Sequence, residues 1–110
     1  MQTVSLETAL KLRDLGVDQT LNTGDRYHLV RFGGAPAPDK ERLKLPRLDQ
    51  IMDEIRKRLP GCLIKFAEKP QGIHCWVEAA QSWPQPWHGL GPTDTEACGL
   101  VLVQIMEAKP

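Results

Sequence analysis

The chain has 110 residues, 41% hydrophobic and 25% charged, and its 14 basic and 14 acidic side chains leave a formal net charge of zero. That is the size and balance of one globular domain, residues 1–110, and it excludes wholesale disorder and a protein held on nucleic acid by charge alone. No arginine follows Arg58, so a mildly basic first half meets a mildly acidic second half, too weakly to name a partner.

The first element is a helix. Ser5 is the expected N-cap, Glu7 stands in the first turn where the helix dipole favours an acid, and Gly16 is the natural stop. Leu6, Ala9, Leu10 and Leu12 or Arg13 recur at helical spacing and mark one narrow packing face. "VDQTLNTGD" then reads as connector. "RYHLVRF", Arg26 to Phe32, reads as a strand, with Val30 and Phe32 on one side. "GGAPAPDKERLK", residues 33–44, carries two glycines, two alternating prolines and a charge cluster, the composition of a flexible solvated loop.

"LDQIMDEIRKRL" is the clearest helix. Leu48, Ile51, Met52, Ile55 and Leu59 form one stripe, and the opposite face offers Asp53–Lys57 and Glu54–Arg58 as i,i+4 pairs. Pro60-Gly61 ends it. A hairpin follows, turning at Lys69-Pro70-Gln71-Gly72. Cys62, Ile64 and Phe66 share a face of its first strand, and Ile73, Cys75, Val77 and Ala79 share a face of the second. The last element runs through "PTDTEACGLVLVQIMEA". Thr93 with Glu96 three residues on predicts a capping box, and the apolar run behind it predicts a helix buried on most of its surface. The order is α-β-α-β-β-(β)-α, an α+β fold with a small antiparallel sheet of three to four strands and helices packed on one face.

Cys62, Cys75 and Cys98 are an odd set without C-x-x-C spacing, the opening residues lack the apolar core of a signal peptide, and the longest apolar run, Cys98 to Val103, is too short to span a bilayer. The expectation is a cytoplasmic protein with reduced thiols. His74 and Cys75 are adjacent but, on a strand, point to opposite faces and cannot form a thiol–imidazole couple. The histidines and cysteines show no metal-ligand spacing, and "FGGAPAP" lacks the Lys-Ser or Lys-Thr of a phosphate loop. No catalytic, metal or cofactor residue is assigned on these grounds.

Binding has more support. With Cys75 and Val77 facing the core, His74, Trp76 and Glu78 face outward beside Lys65. The connector "QSWPQPWHGLGP" brings Trp83, Trp87 and His88 on a proline-stiffened backbone. Two readings follow. Trp83 or Trp87 folds back to complete a thin core, or Lys65, His74, Trp76, Trp83, Trp87 and His88 form a docking surface for a protein partner or a second copy. Nucleic acid fits less well, because a stacking surface normally lies in a basic groove. Its remaining foothold is the basic stretch Arg42–Arg58, which also reads as a solvated helix face.

"SLETALKLRDLGV", "LPRLDQIMDEI" and "WHGLGPTDTEACGLVLV", in this order and spacing, resemble small uncharacterised proteins of bacterial prophages and mobile elements. That resemblance covers most of the chain and rests on helix caps and core positions. It implies an α+β fold and a phage setting, with no activity and no catalytic residues. The chain departs from the pattern at Arg47, where Ser or Thr is common, and in the Pro/Trp-rich connector. "GPTDTEA", Gly91 to Ala97, is also similar to the G-x-T-x-x-E-A strand-to-helix junction of HicB-like antitoxins, which implies, as an alternative function, the binding of a small toxin.

Overall fold

The computed structural model describes residues 2–32, 39–78 and 87–108, with side chains described at all of these except 30–32 and 39–41. The element order is α1 (Leu6–Asp14), β1 (Arg26–Phe32), β2 (Asp39–Leu45), α2 (Leu48–Arg58), β3 (Leu63–Lys69), β4 (Gly72–Glu78), β5 (Trp87–Gly91) and α3 (Asp94–Glu107). The mixed α+β class is as expected, but the strands form two antiparallel sheets. One is the β1–β2 hairpin and the other has the order β3-β4-β5. One strand is not expected from the sequence, and the optional one is present. The charged end of the expected loop 33–44 is strand β2, paired along β1 from Arg26↔Leu45 to Phe32↔Asp39. The "WHGLG" end of the connector is the edge strand β5. Residues 33–38, the Trp83 portion of the connector, Ala79 and the side chains of Val30 and Phe32 lie outside the described residues.

α3 is the centre of the molecule. Its Ala97, Cys98, Val101 and Leu102 are fully buried, and Val103, Ile105 and Met106 nearly so, which matches a run apolar on almost every side. One side of α3 lies on β4 and β5, and the others receive α1 and α2. Two glycines set these distances. A Cβ on Gly89 of β5 would collide with the Ala97 carbonyl oxygen and stand 2.9 Å from Val101 Cγ2, while one on Gly99 would stand 2.7 Å from Val4 Cγ1 of the segment leading into α1.

α2 buries Ile51 and Ile55 completely and packs Leu48, Met52 and Leu59 beside them, the stripe expected from its spacing. On its outer face Glu54 pairs with Arg58 as expected. Lys57 also turns to Glu54, at 3.4 Å, and Asp53 pairs with Arg56 at 3.7 Å, in place of the Asp53–Lys57 pair. In α1 the buried side is Thr8, Ala9 and Leu12, with Leu10 half-buried against the core, whereas Leu6 in the first turn is 42% exposed. β2 joins the body through Leu43, which is fully buried, and Leu45.

Two polar junctions hold the elements in place. At the first, Thr93 Oγ1 accepts from the Glu96 N–H at 3.1 Å, the expected half of the capping box. The carboxylate does not return to Thr93. Its Oε1 accepts from the Ser5 N–H at 2.7 Å, and its Oε2 accepts from Ser5 Oγ at 3.1 Å and Thr8 Oγ1 at 2.6 Å. Glu96 therefore holds the N-cap of α1 through one backbone N–H and two hydroxyls and pins it to α3, while Ser5 Oγ itself accepts from the Thr8 N–H. At the second junction Asp25, its side chain only 2% exposed, accepts from the Asn22 N–H at 2.9 Å, Arg47 Nη1 at 2.8 Å and Gln50 Nε2 at 3.0 Å. Gln50 Oε1 in turn accepts from the Arg47 N–H at 2.9 Å. Arg47 thus starts α2 without a hydroxyl cap of its own. Among the described residues no helix is long and apolar enough to cross a membrane.

Gly89→Ala should destabilise the protein by about 2 kcal/mol in a denaturant titration, because α3 cannot keep its distance from β5 once a methyl group stands between them. The Asn22 N–H, followed by Arg47 and Gln50, holds the Asp25 carboxyl below the usual carboxylate range. A carboxylate with a depressed folded-state pKa contributes stability above its unfolded value, and that contribution fades as pH falls through the folded value. Asp25→Asn should therefore lower the melting temperature at pH 7, and its deficit against the parent should shrink steadily below pH 4.

Candidate functional site

β4 is the middle strand of the larger sheet, and its alternation divides the chemistry between two faces. Cys75 and Val77 are fully buried under α3, while His74, Trp76 and Glu78 stand on the other side. Register places Lys65 of β3 and His88 of β5 on either side of Trp76, and Ala67 and Leu90 on either side of His74. Among the described residues no helix lies on this outer face. Leu63 and Leu90, on opposite edge strands of the face, are 53% and 41% exposed.

Three rings cluster at its centre. His74 stacks on Trp76 with centroids 5.3 Å apart and planes 11° apart. His88 stacks on His74 at 4.9 Å and leans on Trp76 at 5.2 Å. His74 Nδ1 and His88 Nε2 approach to 2.6 Å, a hydrogen bond in which one ring donates and the other accepts. Lys65 Nζ and Glu78 Oε1 are 3.4 Å apart beside Trp76, so the face carries its own balanced ion pair. From the far side, Gln104 Nε2 donates to the His88 carbonyl at 2.6 Å and ties the edge of β5 to α3.

Of the six residues expected on a docking surface, Lys65, His74, Trp76 and His88 come together. Trp87 does not. It sits opposite Val77 on the inner face and packs half-buried against the core, because β5 alternates and His88 and Leu90 take the outward positions. Trp87 thus completes the core from within and does not fold over Trp76, and Trp83 lies outside the described residues. Leu63 and Leu90 extend the face and were missed. The period-two pattern of "LIKFAEK" and "WHGLG" carries their signal only once both strands are paired with β4.

The thiols of Cys75 and Cys98 face one another in the core. Cys98, hydrogen-bonded to Cys75 and buried, is held far above the usual thiol range, while that bond lowers Cys75. Burial also raises Cys62. His28 is on β1, opposite Leu43 in the other sheet, away from His74 and His88. A small cavity of about 30 Å³ beside Asp18, Lys44, Gln50 and Glu54 has room for little more than a water molecule. No family model matches this chain, and no curated protein or solved structure is significantly similar to it.

Adjacent residues on opposite faces should behave differently on truncation. Val77→Ala, within the core, should cost about 2 kcal/mol in a denaturant titration, while Trp76→Ser, on the open face, should cost less than half as much despite removing a larger side chain.

Proposed function

We propose that this chain is a non-enzymatic, cytoplasmic accessory protein of prophage or mobile-element origin that works by docking another protein on the outer face of the β3–β5 sheet. The observation that carries this reading is the ring cluster of His74, Trp76 and His88, stacked on a sheet face that no helix covers among the described residues and bordered by the exposed leucines Leu63 and Leu90. Pre-stacked rings lose little entropy on binding, and an aromatic centre with a polar flank suits a protein interface. The balanced Lys65–Glu78 pair favours a partner of mixed charge.

The basic stretch supports a nucleic-acid reading less well. Arg42 lies over the Tyr27 ring at 5.1 Å, and Lys44 is engaged by Asp25 and the Thr20 carbonyl. Arg47, Arg56, Lys57 and Arg58 each hold a carboxylate. Few cations in the stretch are left to displace counterions from a phosphate backbone. An antitoxin-like role is one form of the same proposal, with a small toxin as the docked protein. It draws support from the passage of β5 into a helix capped by Thr93.

The test compares the parent chain with Trp76→Ser and Leu90→Lys variants. The parent, used as bait in cells that carry its neighbouring genes, should retain a protein that both variants lose by at least tenfold. Light scattering over a hundredfold concentration range tells a foreign partner from a second copy. A parent that stays monomeric and retains the same proteins as its variants would sink the proposal.

A further inference from the structure

His74 and His88 are 14 residues apart in the chain, and only the register of β4 and β5 brings them together. Nδ1 of His74 and Nε2 of His88 point at each other across 2.6 Å, the head-to-head geometry of an N–H···N hydrogen bond. Such a bond needs one bare ring nitrogen to accept, so it tolerates none or one added proton, but not two. With both rings neutral, the N–H of one donates to the other. With one added proton the same bond is charge-assisted, and the cation lies against the Trp76 ring. With both rings protonated neither can accept, and two like charges stand with ring centroids 4.9 Å apart. We infer that the His74–His88 contact is a proton-gated latch on the outer face of the β3–β5 sheet, closed with at most one added proton and opened by the second.

The strands decide which ring moves. His74 is on the middle strand, between Ala67 of β3 and Leu90 of β5, with its plane within 11° of Trp76. His88 is on an edge strand, its plane tilted 35° to Trp76. Gln104 holds the His88 carbonyl at 2.6 Å, so the backbone of β5 stays in the sheet while the ring swings out. Opening uncovers the β5 side of Trp76 and leaves two cations on the face in place of a stacked trio. The latch does not depend on any docked protein.

The charged groups around the pair are those of the sheet. β3 contributes Lys65, opposite Trp76, and Lys69, opposite Gly72 at the turn. β4 contributes Glu78, which is 3.4 Å from Lys65 and offsets it. β5 adds the uncharged Leu90, and α3 the uncharged Gln104, with Glu107 one turn further on. Among the described residues neither imidazole has a carboxylate partner to steady a second proton. Imidazole changes charge between roughly pH 5 and 8, and the lost bond together with the like charges should favour the open form about tenfold once both protons are bound.

The experiment follows the ring nitrogens of the ¹⁵N-labelled full chain by NMR from about pH 8 to about pH 4.5. At the upper end a ¹⁵N–¹⁵N coupling between His74 Nδ1 and His88 Nε2 is expected, with NOEs between the two rings. Both signals should survive the first proton and fall about tenfold with the second, while His28 on the other sheet takes up its proton in one step. His88→Phe, which keeps a ring but removes both nitrogens, should reduce His74 to a single step. The parent's NOEs need no variant. Absence of coupling and NOEs at the upper pH, ring contact that persists with both imidazoles protonated, or a His74 titration that His88→Phe leaves unchanged would each overturn the latch.

Discussion

The burial of α3 on several sides at once governs the rest of the molecule. A helix that is apolar almost all round has no solvent face to present, so a sheet must cover one side and helices the others. Each fully buried aliphatic side chain contributes about 1.5–3 kcal/mol relative to exposure, and α3 supplies Val101 and Leu102 as well as Ala97 and Cys98. Such a helix can be enclosed only if its neighbours come close. Gly89 allows that on the β5 side and Gly99 on the side of α1. Glu96 adds direction to the packing, since its carboxylate fixes the first turn of α1 against the start of α3.

Enclosing α3 uses up the helices. α1 and α2 pack against α3, and α3 covers only the inner face of the β3–β5 sheet. Among the described residues the outer face carries only its own side chains, and three of them stack on one another. His74, Trp76 and His88 bury part of each other's ring surface, and His74 hydrogen-bonds His88, which gives this sheet face an order of its own. The proposed docking function follows from this division, because the rings that shield each other are also the ones a partner meets first.

Local signals were legible where a single element carried them. Ser5 and Thr93 as N-caps, the α2 stripe from Leu48 to Leu59, the turn at Lys69–Gly72 and the opposed faces of His74 and Cys75 all come from spacing within a few residues. Errors arose where partners came from elsewhere in the chain. The "DKERLKL" of β2 has the composition of a loop and becomes a strand because β1 supplies a ladder and the core accepts Leu43. The Glu96 carboxylate, expected at Thr93, finds better donors on a helix nearly ninety residues earlier in the chain. Lys57 turns from Asp53 to Glu54, since exposed pairs three or four residues apart differ in energy by only tenths of a kcal/mol.

The sequence by itself therefore determined the α+β class, most of the helix and strand positions and the two faces of β4, because periodicity and capping are properties of short stretches of chain. Only the tertiary structure decided that the five described strands divide into two sheets and that Trp87 turns inward while His88 turns outward. It also decided that His88 meets His74. Those outcomes depend on which strand pairs with which, and in what register. A shift of one residue in the register of β5 would move Trp87 to the outer face and His88 to the core, and the alternation of "WHGLG" fixes that register only once α3 lies against the strand. It is set by Gly89 and Gly91, the positions at which β5 can lie close against α3.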